Sequence, residues 1–225
     1  MIKVVICDFD DTLVSERKFV DSGFDACAEF LAGYGFDKRA LKKTMWGEFE
    51  KSHAQIFDRL LSGLPEIADS ALLGKLVEIY RYHTPKITFE DDVSPFLEEL
   101  KKRELKSAIV TDGDSRTQHN KLDAVGAEKF FDKVVATYDF GLDWKKPSAK
   151  AFRHLGDFFG ADFAEMLYIG DNPHKDFAMR AEIPIATARI LRDGAIHNYP
   201  DYRDGIKEMF AIKSLPEIFG LPIFK

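Results

Sequence analysis

The stretch VVICDFDDTLV runs from Val4 to Val14. Ile2 and the run from Val4 to Ile6, with only Lys3 between them, are β-branched and suit a buried strand. Asp8, Asp10 and Asp11 then place three carboxylates within four residues. Like charges crowded at the end of an apolar strand repel one another, so the crowding implies a neutralising cation. Cys7 alternates with Asp8 on the strand and points to the opposite face, where it reads as a small buried hydrophobe.

Outward from that strand the pattern changes. Residues 16 to 84 show helical periodicity in FDACAEFLAGYGF, ALKKTMWGEFEKSHAQIFDRLLSGL and SALLGKLVEIYRYH. Gly33, Gly35, Gly63 and Pro65 punctuate these runs. No strand pattern interrupts them, so this segment reads as a helical insert. Trp46, Phe49 and Phe57, at near-helical spacing, are expected in its core.

Beyond Pro85, strands and helices alternate. SPFLEELKKRE predicts a helix, KSAIVTDG a strand, and SRTQHNKLDAVGA a helix stopped near Gly126. DKVVATY predicts a strand, SAKAFRHLGDFFGA a helix, EMLYIGDN a strand, PHKDFAMRAEI a helix and PIATARI a strand. SLPEIFGLPIF predicts a final short helix. Such alternation implies right-handed crossovers and a mostly parallel sheet with helices on both faces. The expected fold is therefore α/β, a doubly wound core over residues 1–15 and 86–225, with a helical cap over 16–85 inserted after the first strand.

The totals agree with a core plus insert. The chain has 225 residues, 45% of them apolar and 31% charged. A net charge of −6, from 32 basic and 38 acidic residues, argues against a general nucleic-acid binder. Two cysteines are too few for a disulfide scaffold or a cysteine-rich metal site. No apolar run approaches the roughly 18–20 residues of a membrane helix. The strand pattern starting at residue 2 leaves no room for a signal peptide ahead of it. A cytoplasmic protein is expected, with no membrane partner and no requirement for an oligomer.

In doubly wound sheets, ligands bind beyond the carboxyl ends of the strands. Each predicted strand end carries polar groups: Asp8, Asp10 and Thr12 after the first, Thr111, Asp112 and Gly113 after the second. Lys146 follows the third, before Pro147. Asp171, Asn172 and Asp176 follow the fourth. Mg²⁺ fits this oxygen-rich set, with Asp8 and Asp171 as carboxylate ligands and the main-chain carbonyl of Asp10 as a third. No histidine pair has zinc-like spacing.

The constellation resembles the haloacid dehalogenase-like hydrolase superfamily. The family's Asp-x-Asp-x-Thr motif is met by DFDDT, its Ser or Thr after the next core strand by Thr111, its lysine by Lys146 in KKP, and its acidic motif by GDNPHKD. The insert points to the subgroup with a helical cap between the first two motifs. The resemblance implies Asp8 as nucleophile, forming an aspartyl-phosphate, and Asp10 as general acid and then base. Thr111 and the main-chain N–H groups of Asp112 and Gly113 would bind phosphoryl oxygens. Lys146 would neutralise the phosphate and Asp8, and Asp176 would orient Lys146 or a metal-bound water. Thr12 would stand beside the ligands without touching the ion.

Carbon–halogen cleavage needs no acid to protonate an alkoxide, so Asp10 favours phosphoester chemistry. The expected activity is a Mg²⁺-dependent phosphatase acting on a small phosphorylated metabolite beneath a closing cap. A phosphomutase, a phosphonate hydrolase and a non-catalytic phospho-acceptor are the alternatives. Asp11 reads as a turn residue. His119, His154, His174 and His197 read as surface or helix-end residues. Within the insert, Lys18, Arg39, His53, Arg59, Arg81 and His83 are the candidates for choosing the substrate.

Overall fold

The computed structural model describes residues 1–197 and 199–224. The chain divides into two compact units, Met1–Arg17 with Ile87–Lys225, and Lys18–Lys86.

In chain order, β1 is Val4–Cys7, and four helices follow: α1 Glu16–Ala32, α2 Lys38–Lys51, α3 Ile56–Ser62 and α4 Ser70–Tyr82. Next come α5 Val93–Lys102, β2 Lys106–Thr111, α6 Ser115–Val125, β3 Lys133–Ala136 and α7 Lys150–Phe159. The chain closes with β4 Met166–Gly170, β5 Ala186–Ile190 and β6 Phe210–Ile212.

The sheet order is β3-β2-β1-β4-β5-β6, and every neighbouring pair is parallel. This is a doubly wound order, and it reverses direction at β1. Cys7 lies level with Ile109 of β2 and Ile169 of β4. The chain therefore leaves β1 at Asp8 into the crevice where ligands bind in such sheets.

β1 sits centrally because its side chains suit burial on both faces. Val4 and Ile6 join Ala108, Val110, Met166 and Tyr168 in one cluster with Phe152 and Leu155 of α7. On the opposite face, Val5, Cys7, Ile109, Leu167 and Ile169 are equally inaccessible. Cys7 is the buried hydrophobe its position in the strand suggests.

The helical unit has an aromatic centre. Phe24 of α1 meets Trp46 at 5.4 Å, Tyr80 at 5.8 Å, Phe49 at 6.1 Å and Phe57 at 6.4 Å between ring centroids. Asp37 and Asp69 cap α2 and α4 by accepting from the N–H groups of Ala40 and Leu72. Several polar candidates in this unit are occupied by its own architecture. Arg59 bonds the Glu48 carboxylate and the main-chain carbonyls of Glu48, Ser52 and Ala54. His83 bonds Ser22, and His53 stacks on Phe49.

The structure corrects one expectation and adds one strand. PHKDFAMRAEI does not form a helix; only Ala178–Ala181 makes a 3-10 turn. The Asn172 side chain accepts from the His174 N–H and the Asp176 carboxylate from the N–H of Asn172, while the main-chain carbonyl of Asn172 accepts from Lys175 and Asp176 in a single turn. Local side-chain bonds of this kind compete with helix formation. The final short helix is present as a 3-10 helix over Leu215–Gly220, followed by another at Pro222–Phe224. β6, an edge strand of three residues, has too short a pattern to stand out in sequence.

Candidate active site

The site is built from the residues that follow β1, β2, β3 and β4. Asp8 continues β1, its N–H donating to Ile169 O at 2.7 Å. Its carboxylate is 4% exposed and meets Lys146 Nζ at 2.8 Å. The same ammonium meets Asp176 Oδ1 at 2.8 Å and the Tyr168 hydroxyl at 2.8 Å. The Tyr168 hydroxyl in turn donates to Asp176 Oδ1 at 2.9 Å. One fully buried lysine is thus shared by two carboxylates and a phenol.

Asp176 reaches this position because residue 170 is a glycine. A Cβ there would stand 2.5 Å from Asp176 Oδ2. That oxygen instead accepts from Asn172 N–H at 2.8 Å.

Asp10 lies in a different setting. Lys121 Nζ of α6 meets both of its carboxylate oxygens, at 2.8 and 2.9 Å. Gln118 Nε2 donates to Oδ2 at 3.2 Å and to the main-chain carbonyl of Asp112 at 2.9 Å. Asp11 has a left-handed backbone, φ 51°. Its carboxylate accepts from the N–H groups of Glu16 and Ile196, which gives this turn residue a tethering task as well.

Thr111, Asp112 and Gly113 lie at the end of β2, with Thr111 buried. The Asp112 side chain turns toward the lysine loop. It accepts from the Thr137 hydroxyl at 2.7 Å and from the N–H of Lys146 at 3.1 and 3.2 Å. An acidic residue is tolerated in this loop because these donors satisfy its charge. Thr12 is buried, and its Oγ1 has no hydrogen-bond partner among the described residues.

The electrostatics separate the two acids of DFDDT. Burial pushes the Asp8 carboxyl up to about 6, against the downward pull of Lys146. Burial also acts on Asp10, but Lys121 and Gln118 outweigh it and hold the carboxyl below its ordinary range. Asp171 is pushed well above the ordinary range by burial and by the charges of Asp176 and Asp8. Burial and Lys146 act to lower Lys175, yet Asp8, Asp176 and Asp112 hold it above its usual value.

Asp8, Asp171 and Asp176 each present a carboxylate oxygen, all within 4.8 Å of one another. Asp176 is already bound by Lys146, Tyr168 and Asn172, whereas Asp171 Oδ2 is buried without a hydrogen-bond partner among the described residues. A buried carboxylate with a bare oxygen beside a second carboxylate is the donor set of a hard divalent cation. The residues present therefore fit Mg²⁺. Arg189 of β5 fixes the same loop, its Nε donating to the Asp171 carbonyl at 3.0 Å.

Nine positions were expected at the site from sequence; Thr111 is the last residue of β2 and the other eight follow β1, β2, β3 or β4. Hydrogen bonds and ion pairs join Asp8, Lys146, Asp176 and Asp112 directly. Gln118, Lys121, Tyr168 and Arg189 were missed. The first two had a weak signal, polar residues three apart on the helix that follows Thr111. Tyr168 and Arg189 lie inside strands, where sequence suggests only core.

A lysine bridging Asp8 and Asp176 thus stands at the switch point of a central parallel sheet, where ligands bind in such folds. The sequence matches the haloacid dehalogenase-like hydrolase family over residues 2–183, and the chain belongs to that family. It is 29% identical to glyceraldehyde 3-phosphate phosphatase of Methanocaldococcus jannaschii, covering 98% of this chain and 97% of that protein. It is 27% identical to the enzyme of the same name from Methanopyrus kandleri, covering 85% of each. Among solved structures, the fold matches the HAD-hydrolase YfnB of Bacillus subtilis bound to magnesium. The TM-score there is 0.66 at 19% identity, over 97% of each chain. Among the described residues, no helix is long and apolar enough to cross a membrane.

Proposed function

We propose that this hydrolase is a Mg²⁺-dependent phosphatase that releases phosphate from a small phosphorylated metabolite. The observation that carries the reading is the pair of carboxylates two residues apart, each held by a different lysine: Asp8 by Lys146 and Asp10 by Lys121. A dehalogenase needs the first carboxylate only. A phosphoester also needs an acid for its leaving oxygen.

Asp8 attacks phosphorus and forms an aspartyl-phosphate while Asp10 gives its proton to the departing ester oxygen. Asp10, now a carboxylate, takes a proton from the water that cleaves the acyl-phosphate. Thr111 Oγ1 and the N–H groups of Asp112 and Gly113 bind the phosphoryl oxygens, and Lys146 keeps Asp8 ionised and oriented. Asp8, Asp171 and the main-chain carbonyl of Asp10 would hold Mg²⁺, which supplies charge stabilisation at the transferring group. Asp176 binds no metal in this scheme; it fixes Lys146.

The relatives named glyceraldehyde 3-phosphate phosphatase make a three-carbon phosphoester the first substrate to test. Phosphate release would be measured on glyceraldehyde 3-phosphate, other sugar phosphates, nucleoside monophosphates, phosphoserine and 4-nitrophenyl phosphate. Each would be run with Mg²⁺, with chelator and with Asp8→Asn. Turnover lost in chelator and in Asp8→Asn supports the reading. No release from any ester rejects it.

A further inference from the structure

Lys121 of α6 is a buried lysine in the sheet-forming unit. Its side chain is 3% exposed, and its ammonium meets both carboxylate oxygens of Asp10. A buried pair of this kind adds little stability, since apolar replacements of similar size serve as well or better. The fold thus has no need of a lysine here, and its place is best understood through Asp10.

The surroundings form a bracket. Asp114 caps α6, accepting from the Thr117 N–H at 3.0 Å and hydroxyl at 2.9 Å. Gln118 and Lys121 follow on the first turns of that helix, three residues apart, so they share a face. Both are buried. The Gln118 amide lies across Gly113, where a Cβ would stand 2.6 Å from Nε2, and Gly113 has a φ of 145°. That amide joins Asp10 to the main chain of Asp112. The acid is therefore fastened to the same loop that would hold the phosphoryl oxygens.

We propose that Gln118 and Lys121 are positioning residues for the acid and base work of Asp10, fixing its carboxyl group over the ester oxygen of the substrate. The inference rests on the phosphatase reading above. A phosphate dianion bound beside Asp10 offsets the pull of Lys121 and lets the carboxyl take up a proton. As the ester P–O bond breaks and the Asp8 O–P bond forms, that proton moves from the Asp10 carboxyl to the departing oxygen. The carboxylate left behind falls into the Lys121 pair. In the second half, a water proton returns to Asp10 as the water oxygen bonds phosphorus and the Asp8 O–P bond breaks. Lys121 stabilises the anionic partner in each half and Gln118 sets its angle. Neither touches substrate.

Dependence on the leaving group separates this role from a merely structural one. An alkyl phosphate needs its departing oxygen protonated, whereas 4-nitrophenolate leaves without a proton. The quantity to compare is kcat/KM, which reports steps up to transfer onto Asp8. For Lys121→Met it should fall about 100-fold on the best alkyl phosphate and less than about threefold on 4-nitrophenyl phosphate. Gln118→Leu should shift the same ratio in the same direction by a smaller factor. Lys121→Arg should restore much of it. Combining Lys121→Met with Asp10→Asn should add nothing to Asp10→Asn alone.

An equal fall on both esters for Lys121→Met and Gln118→Leu would overturn the inference and make the pair structural. Additive losses in the double variant would do the same. If the wild-type protein hydrolyses no ester, the phosphatase reading itself fails and this inference with it. If wild type turns over but the ratio does not move, only the positioning role fails.

Discussion

Replacing Lys146 by Met in the metal-free protein should carry a stability cost that grows with pH. Lys146 stands 2.8 Å from Asp8 and 2.8 Å from Asp176, with its side chain wholly buried. Breaking a buried ion pair from one side typically costs about 3–5 kcal/mol, because the remaining charge is uncompensated. Asp8 can escape part of that cost by taking up a proton. In the wild type its carboxyl ionises near about 6 in the folded state, against 3.8 when free. Between those two values the folded protein holds the extra proton, so this group makes stability fall as pH rises. Above about 6 both states are ionised and the group adds no further slope.

Without Lys146, the largest influence lowering Asp8 is gone and its folded value moves upward. The variant then keeps losing about 1.4 kcal/mol per pH unit above pH 6, where the wild type no longer does. From pH 6 to pH 8 the gap should widen by up to about 3 kcal/mol. Asp176, which loses the same cation, acts in the same direction. Urea denaturation of both proteins in chelator at pH 6, 7 and 8 measures the gap directly. A gap that stays constant across the three values would refute the reasoning, as would one below about 1 kcal/mol at pH 8.

Asp171→Asn should leave the metal-free protein as stable as wild type or more so, because it removes a carboxyl that burial and the nearby acids disfavour in its ionised form and whose Oδ2 has no partner among the described residues. The same change should abolish the rise in melting temperature on adding Mg²⁺, which calorimetry would follow. Tyr168→Phe should cost about 1 kcal/mol in urea denaturation. The loss is small because Lys146 and Asp176 stay paired directly when the hydroxyl goes. Cys7 and Cys27 should resist an aromatic disulfide reagent at pH 8 in the native state and react fully in guanidinium. Both are buried, and burial pushes the Cys27 thiol up to about 12.

Much of this was legible in the sequence because the chemistry repeats at strand ends. VVIC and MLYIG read as strands from their apolar runs, and each opens into polar residues. An apolar run that stops at Asp, Thr or Gly-Asp fixes the strand and its functional edge together. Helix ends were legible where a cap marks them, as at Gly126, which takes a left-handed conformation with φ 63°. The segment after Asp171 was misread because periodicity does not record which side chains are already committed. The Asn172 side chain takes the His174 N–H and the Asp176 carboxylate takes the Asn172 N–H, so the chain makes a single turn there and does not continue as a helix.

The groups missed at the site share a physical reason. Gln118, Lys121, Tyr168 and Arg189 touch the expected residues from elements whose patterns already have an explanation. Tyr168 passes as a core aromatic in β4, packing on Phe152 at 4.9 Å, while its hydroxyl serves Lys146 and Asp176. Lys121 passes as the polar face of an amphipathic helix, yet it is buried against Asp10. A sequence pattern assigns a residue to a face; it does not say whether that face meets water or another charge. The carboxylates could be found from their crowding, because crowding carries a visible electrostatic cost. The cations that relieve it are scattered along the chain, at residues 121, 146 and 175, and only the fold brings them to one end of the sheet.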